Sequence, residues 1–295
     1  MKIAVTGARG FIGSNMVKFL KKKGHEVKTY DLLDLRKFDC AAEAVVGCDQ
    51  VYHFAANMGG VGYFSKEQYT PFMDNMQMDI NIIKACEMYG VKKLFYPSSA
   101  CIYSPSEVPL FEQMLWKSSR PDQPYGLEKL TITKMAPLLP VETKVGILHT
   151  IYGIDQDYNP PKAKFPAEMA RKVVEAMKTG VIEVWGGGEQ TRTFLWIDDA
   201  VEMIYEAMMG KMVLPVNISS EEEVTINQCV EWMCDEMGIK PKILHDLNQP
   251  SGRINRGANM NLWNSVYTYR PKVSPEEGFK KLVRGVYDRL NNTDS

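Results

Sequence analysis

Net charge is −1, from 35 Lys and Arg against 36 Asp and Glu, so the chain has little charge of either sign in excess. No broad cationic surface therefore points to nucleic acid or to an anionic membrane. An anionic ligand must be held locally, by a helix N-terminus or a few placed Arg and Lys. No apolar run approaches the ~20 residues of a membrane span. Cysteine is sparse: Cys40, Cys48, Cys86, Cys101, Cys229 and Cys234 are scattered, without a Cys-x-x-Cys pair. That pattern suits reduced thiols in a cytoplasmic protein better than a disulfide framework. His25, His53, His149 and His245 are far apart, with no i,i+4 or mixed Cys/His spacing, so no metal site is expected. Repeats and low-complexity tracts are missing too. Met1–Thr6 reads as a buried strand running straight into a glycine loop, which argues against a signal peptide.

What is present is ordinary for a soluble globular protein: 45% apolar and 24% charged residues. At 295 residues the chain can form one large α/β domain or two closely joined ones. Strand-like and helix-like segments alternate, which predicts a doubly wound parallel sheet covered by helices on both faces. Strands are expected at Lys2–Val5, Glu26–Tyr30, Gln50–Phe54, Lys93–Tyr96 and Lys144–His149. Helices are expected at Phe11–Lys23, Pro71–Tyr89 and Pro124–Leu138. Little chain separates the second strand from Gln50, so the second crossover helix is expected to be trimmed to Cys40–Val46. Beyond about Tyr152 the pattern loosens. It suggests helices at Ala167–Met177 and Asp198–Met208, a Gly-rich turn at Gly186–Gly188, and short strands near Val216–Ile218 and Ile243–His245. The last third reads as a smaller α/β lobe.

Gly7-Ala-Arg-Gly10-Phe-Ile-Gly13 lies between the first strand and the first helix. Glycine permits the tight turn, lets backbone approach a pyrophosphate, and allows close strand–helix packing. The N-terminal N–H groups of the helix, at Phe11 and Ile12, then face the phosphates. Asp31 ends the second strand about 20 residues on, where a carboxylate accepts ribose hydroxyls and repels a 2′-phosphate, favouring NAD. Asp34 is a second candidate near the adenine. The expectation is a Rossmann-type sheet that holds NAD.

Tyr-x-x-x-Lys occurs at Tyr89/Lys93, Tyr125/Lys129 and Tyr158/Lys162. The first spans a helix end and the third contains two prolines. Only Tyr125/Lys129 lies within a helix, where i and i+4 are neighbours. Ser98 and Ser99 are expected just beyond a parallel strand's C-terminal end, the edge where such sheets bind ligands. An unperturbed Tyr, with a pKa of about 10, is a poor base at neutral pH. The Lys129 ammonium is expected to lower that value, and Ser99 to orient the same substrate oxygen.

With Ala55-Ala-Asn-Met-Gly-Gly-Val-Gly62, Ser98-Ser-Ala-Cys-Ile-Tyr103, Tyr125-Gly-Leu-Glu-Lys-Leu130 and Trp185-Gly-Gly-Gly-Glu-Gln-Thr-Arg192, the chain resembles the extended short-chain dehydrogenase/reductase family, and within it the 3,5-epimerases of GDP-mannose. The resemblance runs over nearly the whole length. It implies a GDP-sugar substrate and a redox-neutral cycle on bound NAD. Tyr125 takes the C4 hydroxyl proton as hydride leaves C4. The 4-ketone acidifies C3 and C5, a base and an acid on opposite faces invert them, and the hydride returns. Cys101 matches the base and Lys164 the acid, with Lys162 close by. A thiolate near cations is a competent base at neutral pH. Lys172, Gln190, Arg192 and Arg253 are implied for the nucleotide diphosphate, Gly59 and Gly60 for the hexose, and Ala55, Ala56 and Asn75 for the cofactor channel. The division implied is a cofactor domain of residues 1–153 with about 193–217, and a nucleotide-sugar lobe of about 154–192 with 218–295. A homodimer is implied through the two long helices.

Thr150 stands where the family has Asn before Ile-Tyr-Gly, and Ala163 where it has Glu beside the acid lysine. Both departures bear on the base and the hexose. Three other functions compete: a GDP-4-keto-6-deoxymannose epimerase/reductase, a plain 4-epimerase or dehydratase, and a non-catalytic NAD sensor that keeps the fold. The first consumes NADPH, which Asp31 disfavours. The second needs neither Cys101 nor Lys164.

Overall fold

The computed structural model describes residues 1–30, 33–59, 61–64, 66–105, 109–117, 121, 123–159, 163–249 and 253–292. The strands β1 (Lys2–Thr6), β2 (Glu26–Tyr30), β3 (Gln50–His53), β4 (Lys93–Ser99) and β5 (Glu142–Leu148) alternate with helices. These are α1 (Phe11–Lys22), α2 (Phe38–Val45), the one-turn α3 (Val61–Phe64), α4 (Tyr69–Met88) and α5 (Gln123–Met135). There follow β6 (Thr150–Tyr152), α6 (Phe165–Thr179), β7 (Val181–Trp185), β8 (Thr191–Trp196), α7 (Ile197–Met209), β9 (Val216–Ile218), β10 (Glu223–Thr225) and α8 (Ile226–Glu236). The chain ends with β11 (Lys242–Asp246), β12 (Asn255–Arg256), α9 (Asn261–Val266) and α10 (Pro275–Asn292).

The main sheet is six-stranded, in the order β2-β1-β3-β4-β5-β9, and all its pairings are parallel. This is a Rossmann-type doubly wound sheet. Its inner strands β3 and β5 are buried almost throughout, as strands covered on both faces must be. β2 is half exposed and polar because it forms an edge. The eight-residue α2 returns the chain to the far side of β1 at once, so no strand lies beyond β2. Met16 and Leu20, one turn apart, press α1 onto this sheet.

β8 carries β10 and β12 on its two edges and also pairs with β6, while β7 pairs with β11. α10 lies against α6 and α8. One continuous apolar cluster runs from Ile3, Leu20 and Phe95 through Trp196 and Met203 to Phe279 and Val286. Among the described residues no helix is long and apolar enough to cross a membrane. All six cysteines are free thiols.

Most expected elements are present with ends moved by a few residues. Three differences matter. β4 continues to Ser99, so both serines belong to the strand instead of following it. The short strands expected in the last third are joined by two substantial helices, α8 and α10. β6, β7 and β8 also went unforeseen.

Candidate active site

The glycine loop is built by steric necessity. Gly7 has φ +64°, and a Cβ there would come within 2.6 Å of the Ala55 nitrogen. At Gly13 a Cβ would lie 2.2 Å from the Gly7 carbonyl oxygen, so only glycine lets α1 start this close to the loop. Gly10 caps α1 without a side chain. The first N–H groups of the helix, including those of Phe11 and Ile12, have no intrahelical acceptor. This cradle fits a dinucleotide pyrophosphate.

Asp31 and Gly60 lie outside the described residues. Asp34 is gripped by the Arg36 guanidinium, with Nε to Oδ1 at 2.8 Å and Nη2 to Oδ2 at 3.1 Å, and Arg36 reaches Asp74 at 3.0 Å as well. That pairing holds the Asp34 carboxyl below its ordinary value. Ala55 donates its N–H to Thr6 Oγ1 at 3.2 Å. Asn75 is buried; its Oδ1 accepts from Asn57 N at 2.6 Å and its Nδ2 donates to Glu128 at 3.3 Å. Gly59 packs against the Tyr63 ring, where a Cβ would approach to 2.4 Å.

Strand alternation separates the two serines. Ser98 is buried against Thr133, Oγ to Oγ1 2.7 Å. Ser99 faces the other way, accepts the Cys101 N–H at 3.2 Å and so caps the 3₁₀ turn Ala100–Ile102. It is also hydrogen-bonded to Tyr125. Gly126 lets α5 rest directly on this turn, for a Cβ there would stand 2.4 Å from the Cys101 carbonyl oxygen. Phe64 stacks on the Tyr125 ring at 5.0 Å between centroids. The Lys129 ammonium lies 6.0 Å from the centre of that ring.

The expected lowering of the Tyr125 pKa is not what the closed surroundings produce. Burial raises it, Cys101 and Glu128 add to the rise, and the opposing pull of Lys129 and the Ser99 hydrogen bond is outweighed. Lys129 is itself buried, which alone would favour its neutral form, but Asp79 and Glu128 hold it charged and raise its pKa.

Lys164 is the exposed N-cap residue before α6. Neighbouring protein atoms lower its ammonium pKa from the ordinary value, against the attraction of the Cys101 sulfur. Lys162 lies outside the described residues. Arg256 Nη1 comes within 3.7 Å of Cys101 Sγ. Arg256 also sits opposite Arg192 in the β12–β8 pairing, and Arg253 donates to the carbonyls of Tyr103 and Ser104. Arg256 and Arg253 thus lie beside the Cys101 turn, with Arg192 on the strand next to Arg256. Lys172 lies over the Trp185 ring at 5.5 Å and donates to the Glu183 carbonyl at 3.2 Å. Gln190 is buried and its Oε1 has no hydrogen-bond partner among the described residues.

Sequence reasoning did not find Arg256, nor the buried His53, Asp79, Tyr96 and Glu128. Arg256 carries no local motif. Asp79 and Glu128 belong to no motif either, although Asn75, Asp79, Ile82 and Cys86 mark one buried face of α4. Among the described residues no group of His, Cys, Asp and Glu is placed to hold a metal ion.

A glycine cradle on the first helix of a parallel sheet, with Ser, Tyr and Lys at its carboxyl edge, defines a dinucleotide-dependent α/β enzyme. Residues 3–215 match the NAD dependent epimerase/dehydratase family, and the chain belongs to that family. Its cofactor is NAD. The chain is 32% identical to GDP-mannose 3,5-epimerase of Arabidopsis thaliana over 307 residues, spanning 95% of this chain and 80% of the relative. It is 26% identical to GDP-L-colitose synthase of Yersinia pseudotuberculosis, spanning 99% of this chain and 100% of the relative. Its fold matches that of a UDP-glucose 4-epimerase of Thermotoga maritima solved with UDP-glucose. The TM-score is 0.87 at 22% identity, over 99% of this chain and 100% of the other.

Proposed function

We propose that the protein is a nucleotide-sugar epimerase that converts GDP-mannose to GDP-L-galactose by inverting C3 and C5. The observation that carries this reading is the gathering of Ser99, Cys101 and Tyr125 on one turn and one helix end, with the Arg256 guanidinium 3.7 Å from the Cys101 sulfur and the Lys164 ammonium, just before α6, within reach of its attraction. A 4-epimerase has no need of the thiol and the second lysine. The 32% identity to a GDP-mannose 3,5-epimerase supports the same choice.

NAD, when bound, supplies the acceptor for hydride from C4 and returns it at the end of the cycle. Ser99 orients the C4 oxygen, and Tyr125 takes its proton and gives it back. Lys129 supports the phenolate form by charge. Cys101 removes the proton beside the C4 carbonyl, and Lys164, whose lowered pKa eases proton donation, protonates the other face. Arg256 holds positive charge next to Cys101. Arg192 and Arg253, with Lys172 and Gln190, bind the nucleotide diphosphate, and Gly59 and Gly60 admit the hexose; Arg suits bidentate phosphate contact. Gly7, Gly10, Gly13 and Asp31 hold NAD. Residues 1–153 with about 193–217 serve the cofactor, and about 154–192 with 218–295 serve the nucleotide sugar.

The protomer pairs with a second copy. Tyr69, Met73, Ile80 and Met88 of α4 and Leu127, Met135 and Leu138 of and after α5 form an exposed apolar face, Tyr69 and Leu138 being 75% and 76% accessible. Such a face on two packed helices suits a four-helix dimer seam. The enzyme works in the cytoplasm.

The test is to supply purified protein with GDP-mannose and no added cofactor or reductant. Formation of GDP-L-galactose supports the reading. Turnover only of a 4-keto-6-deoxy sugar, with NADPH consumed, replaces it with the epimerase/reductase.

A further inference from the structure

A chain of buried polar groups ends on Lys129. Thr6 Oγ1 meets His53 Nδ1 at 2.7 Å, and His53 Nε2 meets Asp79 Oδ1 at 3.0 Å. Thr6 Oγ1 also accepts the Ala55 N–H; with the Thr6 hydrogen assigned to Nδ1, His53 donates to Asp79 through Nε2. Tyr96 Oη lies 2.9 Å from Asp79 Oδ2, 2.8 Å from Glu128 Oε1 and 3.1 Å from Lys129 Nζ. Glu128 Oε1 is also 3.1 Å from Lys129 Nζ. All of these side chains are at most 3% exposed.

Counting hydrogens exposes a deficit. Tyr96 has a single hydrogen to give, and Lys129 donates to its oxygen. One carboxylate accepts the Tyr96 hydrogen; the other can bond to the same oxygen only by bringing a hydrogen of its own. Charge gives the same result, since two ionised carboxylates would face one ammonium in a site closed to water.

We propose that Asp79 and Glu128 hold one proton between them, bridged by Tyr96, so that a single carboxylate charge opposes Lys129 and the Lys129 field still reaches Tyr125. Glu128 is then a positioning residue that acts on Tyr125 through Lys129. The inference rests on the acid–base role proposed for Tyr125 and holds for any sugar that Tyr125 serves. Burial pushes the Glu128 carboxyl up to about 8, Lys129 opposes this and Asp79 adds to it. For Asp79 burial acts upward but is outweighed by Lys129 and the His53 hydrogen bond, so its pKa falls. The proton belongs on Glu128. The groups facing it are His53 from β3, Asp79 and the neutral Asn75 from α4, Tyr96 from β4, and Tyr125 and Lys129 from α5. Cys101, on the turn after β4, acts on Tyr125.

Loss of that proton above neutral pH adds a second anion beside Lys129 and pushes Tyr125 toward the phenol. The test is infrared difference spectroscopy of the NAD-loaded enzyme at neutral pH, with tyrosinate absorbance against pH, referenced to Tyr125→Phe counterparts, as the check on the midpoint shift at Tyr125. The wild type should show a protonated carboxyl C=O band that Glu128→Gln and Asp79→Asn each abolish, and either substitution should lower the Tyr125 midpoint. Carboxylate bands alone in the wild type overturn the proposal. If Glu128→Gln does not fold, Asp79→Asn decides alone. Full turnover by Tyr125→Phe would refute the function proposed for Tyr125, while the midpoint shift would still report on the carboxyl pair.

Discussion

The Cα of Gly126 rests on the backbone of Cys101 so closely that a methyl group would stand 2.4 Å from its carbonyl oxygen. The helix that carries the candidate acid–base Tyr125 and the turn that carries the candidate base Cys101 are thereby fixed in one relation. Glycine inside a helix costs about 1 kcal/mol relative to alanine, and here it sets the spacing of two functional groups.

Gly126→Ala should therefore lower both stability and rate. Overpacking of this kind costs about 1–3 kcal/mol, and a displacement on the order of 1 Å at the site can lower kcat about a hundredfold. Thermal unfolding and steady-state kinetics check this. Wild-type kcat in the variant would show that the contact does not hold the turn.

Cys101→Ala should abolish exchange at C3 and C5, a loss of at least about a hundredfold for removing a general base, while NAD still binds. Cofactor content after gel filtration and exchange by nuclear magnetic resonance read the two separately. Persistent exchange would return Cys101 to a packing role.

His149 predicts an acid weakness. Its Nδ1 is buried with no hydrogen-bond partner among the described residues, and its Nε2 meets Asn217 at 3.2 Å. Burial depresses its pKa from 6.5 to about 4, Asn217 opposes this and Arg256 assists. The folded state keeps the ring neutral, so the unfolded chain binds the extra proton as pH falls below 6.5. Stability therefore declines by up to about 1.4 kcal/mol per unit between 6.5 and about 4, at most about 3.4 kcal/mol in all. His149→Gln should flatten that limb in urea unfolding at stepped pH. An unaltered slope would assign acid unfolding to other groups.

Leu127 sits on the exposed face of α5, 47% accessible, two residues from Tyr125. Leu127→Glu should place a charge in the proposed dimer seam and give a monomer by sedimentation. A wild type that sediments only as a monomer would remove the seam altogether.

The first half of the fold was legible because strand and helix signals alternate there and Gly7 and Gly13 obey steric demands that only glycine meets. The helices α8 and α10 were passed over although their starts carry signals. Thr225 and Gln228 form a capping box, and Pro275, Glu276 and Glu277 fill the first turn of α10. The carboxyl pair was not legible at all. Asp79 and Glu128 are far apart in sequence and come together, around Tyr96 of β4, in the folded chain. The direction of the Tyr125 shift failed for a related reason: the Lys129 charge is visible in a motif, but the burial that outweighs it is a property of the packed chain.

The central claim is that the redox cycle at C4 serves inversion at C3 and C5. Its most direct measurement is incubation of the purified protein with GDP-mannose in deuterated water, without added NAD, followed by nuclear magnetic resonance of the recovered sugar. Deuterium at both C3 and C5 is the predicted result. Absence of label at both positions, with turnover of another nucleotide sugar, would contradict it.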